Sequence, residues 1–434
     1  MLGSSLLPLL PLAAAIPWGN PGGWGGGGGS SSSTPNFDNV TIFVAPEDWE
    51  RRSTSYARVA LLNQNCETDN VLLSTFTLTP NDGRYYPVFA SHDQGQTWQE
   101  ISRISFSQED TGFDYSQGRL AQPDFLELPI DVGDYPAGTV LFTGMGQPSD
   151  MSSTNIYVYA SRDKGYSWEF VSQVAQGGPA NTTNGATPIW EPFLLMSPVS
   201  HNPPWVMNAY SDQRDPAHGQ KLAHQSSPDL KTWGPVMNDA AEANYTQRPG
   251  MTTMAKMGNG AYIFTYELGF STDGLPSNSP YAVHYRISAD PEFFGDAEEH
   301  LLRSSSDGKI PSSSPYVVWT PVGPTGKGTL VVSDGSYSEV FMNTEYGDPD
   351  AWFTVETTHG VGYSRSLTVM PDESKVMLVN GGMYNTSVTV VSAGMIHVPG
   401  TYADGFGPEA SGQDSVSSCG GKGFWNNWGL GGEI

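Results

Sequence analysis

Ser91-His-Asp93-Gln-Gly95-Gln-Thr97-Trp98 and Ser161-Arg-Asp163-Lys-Gly165-Tyr-Ser167-Trp168 are two copies of one eight-residue pattern. A degraded third copy, Ser227-Pro-Asp229-Leu-Lys-Thr232-Trp233, is one residue shorter and lacks the Gly. The copies start 70 residues apart (161 minus 91) and then 66 (227 minus 161). Each follows an apolar run rich in β-branched and aromatic residues and precedes another, so each reads as the turn of a β-hairpin. In such a turn the Asp carboxylate can accept hydrogen bonds from backbone N–H groups, and Gly supplies a positive φ. The Trp then packs under the hairpin as a large apolar plug. These residues build the fold and do not react.

The same texture extends outward in both directions. Tyr86-Pro-Val-Phe-Ala-Ser, Thr139-Val-Leu-Phe-Thr, Asn155-Ile-Tyr-Val-Tyr-Ala-Ser, Ala261-Tyr-Ile-Phe-Thr-Tyr and Thr329-Leu-Val-Val-Ser are short β-type runs bounded by Gly, Asn, Asp or Pro. Helical periodicity is nearly absent, and only Asp296 to Arg303 suggests one short helix. The repeated turn resembles the Asp box of sialidase-type β-propellers. At roughly 66 residues per unit, residues 36–400 hold between five and six units, and propellers run from about four to eight four-stranded blades. The expectation is an all-β, six-bladed β-propeller of four-stranded antiparallel blades, with no recognisable box in the fifth and sixth.

Outside that body the sequence changes character. Leu6 to Ile16 is apolar and ends in Ala13, Ala14 and Ala15, so residues 1–16 read as a secretory signal, although the usual preceding positive charge is missing. Residues 17–35 form a Gly/Ser-rich leader, and 401–434 a Gly/Ser-rich tail expected to be mostly disordered. Four Asn-X-Ser/Thr sequons, at Asn39, Asn181, Asn244 and Asn385, agree with export. Cys66 and Cys419 allow one disulfide at most, so this is not a disulfide-built fold. The expected protein is secreted and monomeric.

Composition excludes several classes of partner. The net charge of −25 repels phosphate backbones and anionic lipid, so neither nucleic acid nor a membrane surface is an expected partner. No apolar run reaches the roughly 20 residues of a membrane span. A neutral ligand suits the acidic surface, and the 12% of aromatic residues offers sugar-stacking surfaces as well as core. No Gly-rich phosphate cradle follows a strand and opens a helix. His218 and His224 have no carboxylate at ligand spacing and read as solvated loop residues, so no metal and no cofactor is expected.

Two carboxylates stand in apolar surroundings. Glu191 lies in Thr187-Pro-Ile-Trp190-Glu191-Pro192-Phe-Leu-Leu, and Glu267 in Tyr262-Ile-Phe-Thr-Tyr266-Glu267-Leu-Gly-Phe. Taken singly, each could be a strand-end Glu reaching solvent or an ion pair, since Glu is rarely fully buried unless paired. Two of them one blade apart suit a glycosidase. One carboxyl must stay protonated to donate to the leaving oxygen, and apolar surroundings favour that; the other must be ionised near the anomeric carbon.

The stretch Tyr210-Ser-Asp212-Gln-Arg214-Asp-Pro-Ala-His218-Gly-Gln-Lys221-Leu-Ala-His224-Gln, with Thr232-Trp-Gly-Pro-Val, Arg248-Pro-Gly-Met-Thr-Thr and Tyr262 to Glu267, resembles glycoside hydrolase family 93. The resemblance spans roughly residues 40 to 400 and is densest from Ile189 to Glu267. It implies a fungal-type exo-α-L-1,5-arabinanase on a six-bladed propeller, releasing arabinobiose from linear arabinan with retention. On the matching positions it implies Glu191 as general acid/base and Glu267 as nucleophile, with the division of roles between the two left open.

The clan relation to sialidases brings a rival, in which a Tyr activated by a Glu is the nucleophile. Tyr363 and Arg365, in Gly360-Val-Gly-Tyr363-Ser-Arg365-Ser, could serve it, or Tyr363 could be a strand-end aromatic donating to backbone. With only 12 Arg and no Arg-Ile-Pro, the chain lacks the usual announcement of a carboxylate-binding Arg cluster. A carbohydrate-binding propeller without turnover is the rival from another class. As substrate-binding candidates the sequence offers Tyr56 and Arg58 where a first blade would enter the funnel, and Arg119, Gln122 and Asp124 on the second. Asp212 with Arg214 could form an internal pair that positions substrate. Trp190 would serve as a sugar platform or as core.

Overall fold

A computed structural model of the chain describes residues 34–63, 70–270, 280–383, 386–403 and 406. It is a six-bladed β-propeller, and every blade is a four-stranded antiparallel sheet. From the axis outward, blade 1 is Ser55–Leu62, Val71–Thr77, Tyr86–Ser91 and Gln99–Ile104. Blade 2 is Arg119–Glu127, Val140–Gln147, Thr154–Ser161 and Glu169–Gly177. Blade 3 follows with Ile189–Ser197, Trp205–Asp212, Lys221–Ser227 and Met237–Ala240. Blade 4 has Arg248–Lys256, Tyr262–Gly269, Tyr281–Ser288 and His300–Leu301. Blade 5 has Tyr316–Thr320, Thr329–Ser333, Val340–Asn343 and Trp352–Val355. Blade 6 has Ser366–Val369, Lys375–Asn380 and Val390–His397, and its outer edge is Val40–Val44 from the start of the described chain. That borrowed strand closes the ring and leaves no open seam between first and last blades.

The interleaved blade faces form the core. Between blades 1 and 2, Tyr86, Phe106, Phe142, Tyr157 and Tyr159 are buried together. Gly144 lets the Tyr86 ring close on the second strand of blade 2, because a Cβ there would come within 2.8 Å of its hydroxyl oxygen.

The eight-residue pattern behaves as a hairpin turn between the third and fourth strands. In blade 1 the Gly95 N–H donates to Ser91 Oγ (2.8 Å), the Thr97 N–H to Asp93 Oδ1 (2.9 Å), and Trp98 Nε1 to the Gly95 carbonyl (3.0 Å). Blade 2 repeats these bonds at Ser161, Asp163, Ser167 and Trp168. In blade 3, which lacks the Gly, Leu230 takes the left-handed conformation at φ 64°. Blade 5 carries a copy the sequence hides. Asn343 replaces the Ser and accepts from the Gly347 N–H (2.9 Å), Tyr346 and Gly347 are left-handed (55° and 87°), and Trp352 is the plug. Trp352 is fully buried whereas Trp98 is only half-buried. Trp352→Ala is therefore expected to cost about 3–5 kcal/mol in denaturant unfolding, and Trp98→Ala less. The reverse order would show that the plug is not the main anchor of the turn.

Two boundaries differ from expectation. Asp296 to Arg303 is not a helix: a 3₁₀ turn at Phe294–Asp296 leads into the edge strand His300–Leu301. Pairing with Tyr285 and His284 completes the blade and overrides a weak local helical preference. The folded body also continues past residue 400, where Thr401–Tyr402 pairs with Val322–Gly323 and Phe406 packs on Trp319 at 5.2 Å. Cys66, Cys419, Asn385, residues 1–33 and most of the tail lie outside the described residues.

Candidate active site

At the axis-facing end of each blade one residue steps out of the regular ladder. For blades 1 to 6 it is Tyr56 (φ 51°), Gln122 (60°), Glu191 (61°), Met251 (57°), Ser314 (46°) and Ser364 (60°). All six adopt the left-handed region, uncommon for non-glycine residues. In blades 1 to 4 the residue sits in a bulge, where the pairing register slips between Ser55 and Arg58, Ala121 and Asp124, Trp190 and Phe193, and Gly250 and Thr253. Such a bulge re-aims the backbone N–H, which here donates to the preceding blade.

The six bonds close a circuit. The N–H of Tyr56 donates to the Tyr363 carbonyl (3.3 Å), that of Gln122 to Thr77 Oγ1 (3.0 Å), and that of Glu191 to Gln122 Oε1 (3.0 Å). The N–H of Met251 donates to Glu191 Oε2 (2.9 Å), that of Ser314 to Glu267 Oε2 (2.8 Å), and that of Ser364 to Ser314 Oγ (3.0 Å). Glu191 and Glu267 thus occupy two consecutive acceptor seats. Glu267 stands opposite Gly250 in the ladder of blade 4, and Gly250 precedes the Met251 that donates to Glu191. The strand geometry brings the two carboxyls near enough for the charge of Glu191 to act on Glu267.

Their surroundings differ. Glu191 Oε2 also accepts from Ser211 Oγ (2.7 Å), and its Oε1 accepts from the Tyr56 hydroxyl (3.0 Å). Withdrawal from water raises its pKa above the usual carboxylate value, and the Ser211, Met251 and Tyr56 donors, with Arg248, oppose the rise. Burial and then the negative charge of Glu191 push Glu267 up to about 7, against the Ser314 N–H, the Ser313 hydroxyl and Arg248. One acid held protonated near neutrality beside one surrounded by donors is the division of labour that acid-assisted displacement requires.

Arg248 is the cation of the site. Its Nη1 donates to Asn184 Oδ1 (2.6 Å) and the Gly219 carbonyl (3.2 Å), and its Nη2 to Gln213 Oε1 (2.8 Å) and Gln220 Oε1 (2.7 Å). These acceptors are neutral, so they leave its charge to act on both carboxyls. Gln213 Oε1 accepts in addition from Trp190 Nε1 (2.9 Å), linking the indole beside Glu191 to the same network.

Solved structures match this chain over the propeller. The GH93 α-L-arabinofuranosidase of Fusarium graminearum, solved with arabinobiose, is 41% identical, with 83% of this chain and 98% of that chain covered and a TM-score of 0.76. The chain belongs to glycoside hydrolase family 93. Another family-type relative, the Penicillium chrysogenum α-L-arabinanase complexed with arabinobiose, is 37% identical over 84% of this chain and 98% of its own, also at a TM-score of 0.76. A Hadza microbial sialidase shares the fold at 16% identity, with 80% of this chain and 68% of that chain covered and a TM-score of 0.53. No family model and no curated protein matches. As a family 93 member the protein is a glycoside hydrolase.

The other candidate residues of this family 93 chain divide by depth. Tyr56 and Gln122 belong to the circuit and hold Glu191, and Tyr363 meets the Tyr56 ring edge-on at 5.1 Å. Arg58 and Asp124 lie two residues further in, beneath the carboxyls. They are buried as an ion pair (3.4 Å), with the Arg58 guanidinium 5.0 Å from the Tyr316 ring of blade 5 and its Nη1 donating to Ser364 Oγ (2.8 Å). Together these groups link blades 1, 2, 5 and 6, and burial, opposed by Arg58, raises Asp124 to about 6.

Arg119 is exposed three residues before Gln122. Asp212 and Arg214 form a two-pronged pair (2.9 and 2.8 Å), and Arg214 Nη2 also donates to the Tyr210 hydroxyl (3.0 Å). That pair braces the loop after the second strand of blade 3. Arg365 is fully buried and donates to the carbonyls of Asp334, Ser338 and Glu339. His224 is not a solvated loop residue: it is buried against Asp239 (Nδ1 to Oδ1, 2.8 Å). Among the described residues no group of three or more His, Cys, Asp or Glu could hold a metal ion.

Arg248, Ser211, Gln213, Gln220 and Ser314 were not singled out from the sequence. The Arg248-Pro-Gly-Met stretch was itself a signal, since an Arg opening an apolar inner strand needs partners.

Proposed function

We propose that this family 93 hydrolase is a secreted, monomeric, retaining exo-α-L-1,5-arabinanase that releases arabinobiose from linear arabinan. The observation carrying the reading is that Glu191 and Glu267 take consecutive seats in the circuit, within electrostatic reach of one another and in unlike surroundings. Relatives 37% and 41% identical hold arabinobiose, and the acidic chain suits a neutral polysaccharide. The apolar Leu6–Ile16 stretch and the exposed sequons Asn39, Asn181 and Asn244 support export.

In the double displacement we infer, Glu191 is the nucleophile and Glu267 the acid/base, the reverse of the roles the family resemblance suggested. The reason is the donor count. Three donors stabilise the ionised form of Glu191, whereas the charge of Glu191 helps keep Glu267 protonated to about pH 7. Glu191 attacks C1 as Glu267 hands its proton to the departing O5, giving a covalent arabinobiosyl enzyme. Glu267, now ionised, takes a proton from the water that attacks C1, and Glu191 leaves.

Incubation of the purified protein with linear arabinan tests the reading. Arabinobiose is expected as the early product, with the α-anomer formed first by NMR. A ladder of longer oligosaccharides would overturn exo action, and a β-anomer formed first would overturn retention.

A further inference from the structure

We infer that Tyr56 is a positioning residue for the reaction: its hydroxyl, reaching from blade 1 to blade 3, fixes the Glu191 carboxylate in its attacking orientation. This rests on Glu191 being the nucleophile, as proposed above.

Three observations carry the inference. Tyr56 is an aromatic residue in the left-handed region (φ 51°), a conformation that persists only where the surroundings over-determine it. Its N–H is tied to the Tyr363 carbonyl (3.3 Å), and its ring meets that of Tyr363 edge-on, at 81°. The side chain is 4% exposed yet ends on Glu191 Oε1 at 3.0 Å.

Hydrogen-bond arithmetic then fixes the proton. Gln122 Oε1 accepts the Glu191 N–H (3.0 Å), so the amide end facing Tyr56 is Nε2, a donor, 3.4 Å from its oxygen. A phenol oxygen accepts twice and donates once, and an ionised carboxylate only accepts. The single Tyr56 proton is therefore directed to Glu191. Gln122 holds the Glu191 backbone while Tyr56 holds its head.

The charged and titratable groups facing this pair are Glu267, Tyr363 and Arg248. Burial and then the Glu191 charge raise the Tyr56 phenol well above its ordinary value. It stays protonated over the working range and acts as a permanent donor, not as a nucleophile.

Tyr56→Phe keeps the ring and the backbone conformation and removes only the donor. On linear arabino-oligosaccharides kcat should fall about 10- to 100-fold, the range of a hydrogen bond to a charged group, with KM nearly unchanged. Losing a donor to the ionised form raises the Glu191 pKa, so the acid limb of the pH profile should move to higher pH. The same deficit should persist on an aryl arabinobioside with a good leaving group, because the attack on C1 is what suffers. Unchanged kcat and pH profile, with only a lower unfolding temperature, would reduce Tyr56 to a structural role and overturn the inference. A deficit that vanishes on the aryl substrate would assign Tyr56 to proton donation and overturn it equally. Should Tyr56→Phe fail to fold, 3-fluorotyrosine placed at position 56 keeps the ring and makes the hydroxyl a stronger donor to Glu191, so the acid limb should move to lower pH; no shift would overturn the inference. Wild-type protein inert on both substrates would instead sink the proposed function itself.

Discussion

Glu191→Gly is expected to lose turnover of linear arabinan by on the order of 10⁴- to 10⁶-fold, as removal of a nucleophile does elsewhere. Glycine is the informative replacement because Glu191 sits at φ 61°, where alanine would carry strain and glycine carries none. The backbone bond from residue 191 to Gln122 Oε1 survives, so the circuit of the six blades is kept on that side. Only the side-chain seat for Ser211, Met251 and Tyr56 empties, and water can fill it. Removing a carboxylate that burial disfavours should leave the unfolding temperature close to wild type. Azide should restore part of the rate and give an arabinobiosyl azide of inverted configuration. An azide product of retained configuration would return the roles to those first suggested by the family resemblance. Activity within about tenfold of wild type would remove Glu191 from the mechanism.

Glu267→Gln should behave differently with different leaving groups. On arabinan the loss of the proton donor should cost about 10²- to 10⁴-fold. On an aryl arabinobioside whose leaving group needs no proton, the first step should stay near wild-type speed. The covalent intermediate should then accumulate as a burst, because no base remains to activate water. The pH profile carries an independent signature. Glu267 must be protonated to act, and its pKa of about 7 means that wild-type activity on arabinan should fall as pH rises through about 7. That alkaline limb should disappear in Glu267→Gln assayed on the aryl substrate. Burial is the largest cause of the raised value and the Glu191 charge the next, so the limb should also shift to lower pH in Glu191→Gln if its residual rate is measurable.

Much of this could be read from residue types alone. The turns at Ser91, Ser161 and Ser227 repeat the same chemistry, and two glutamates in apolar strands have few uses. The blade 5 turn escaped because Asn343 stands where the others have Ser, and because its Trp comes nine residues on (352 minus 343) instead of seven (98 minus 91). Arg58, Asp124 and Arg365 have the chemistry of sugar ligands, yet they are buried on protein partners, and depth below the funnel mouth leaves no trace in a local sequence window. The significance of Arg248 and Ser314 arises from contacts between blades, and that of Ser211 from the neighbouring strand of blade 3; these bring together residues roughly 20 to 65 positions apart.

The six left-handed residues give catalysis and closure a common grammar. Every blade offers its predecessor one re-aimed amide, and the predecessor must supply something to receive it. A neutral oxygen does so at Thr77, Gln122, Ser314 and the Tyr363 carbonyl, and a carboxylate at the other two. An inert propeller with this circuit would lie two acceptor exchanges from carrying an acidic dyad. Protein engineers seeking to relocate the reacting centre would have a choice of adjacent berths around one rim, each already furnished with its amide.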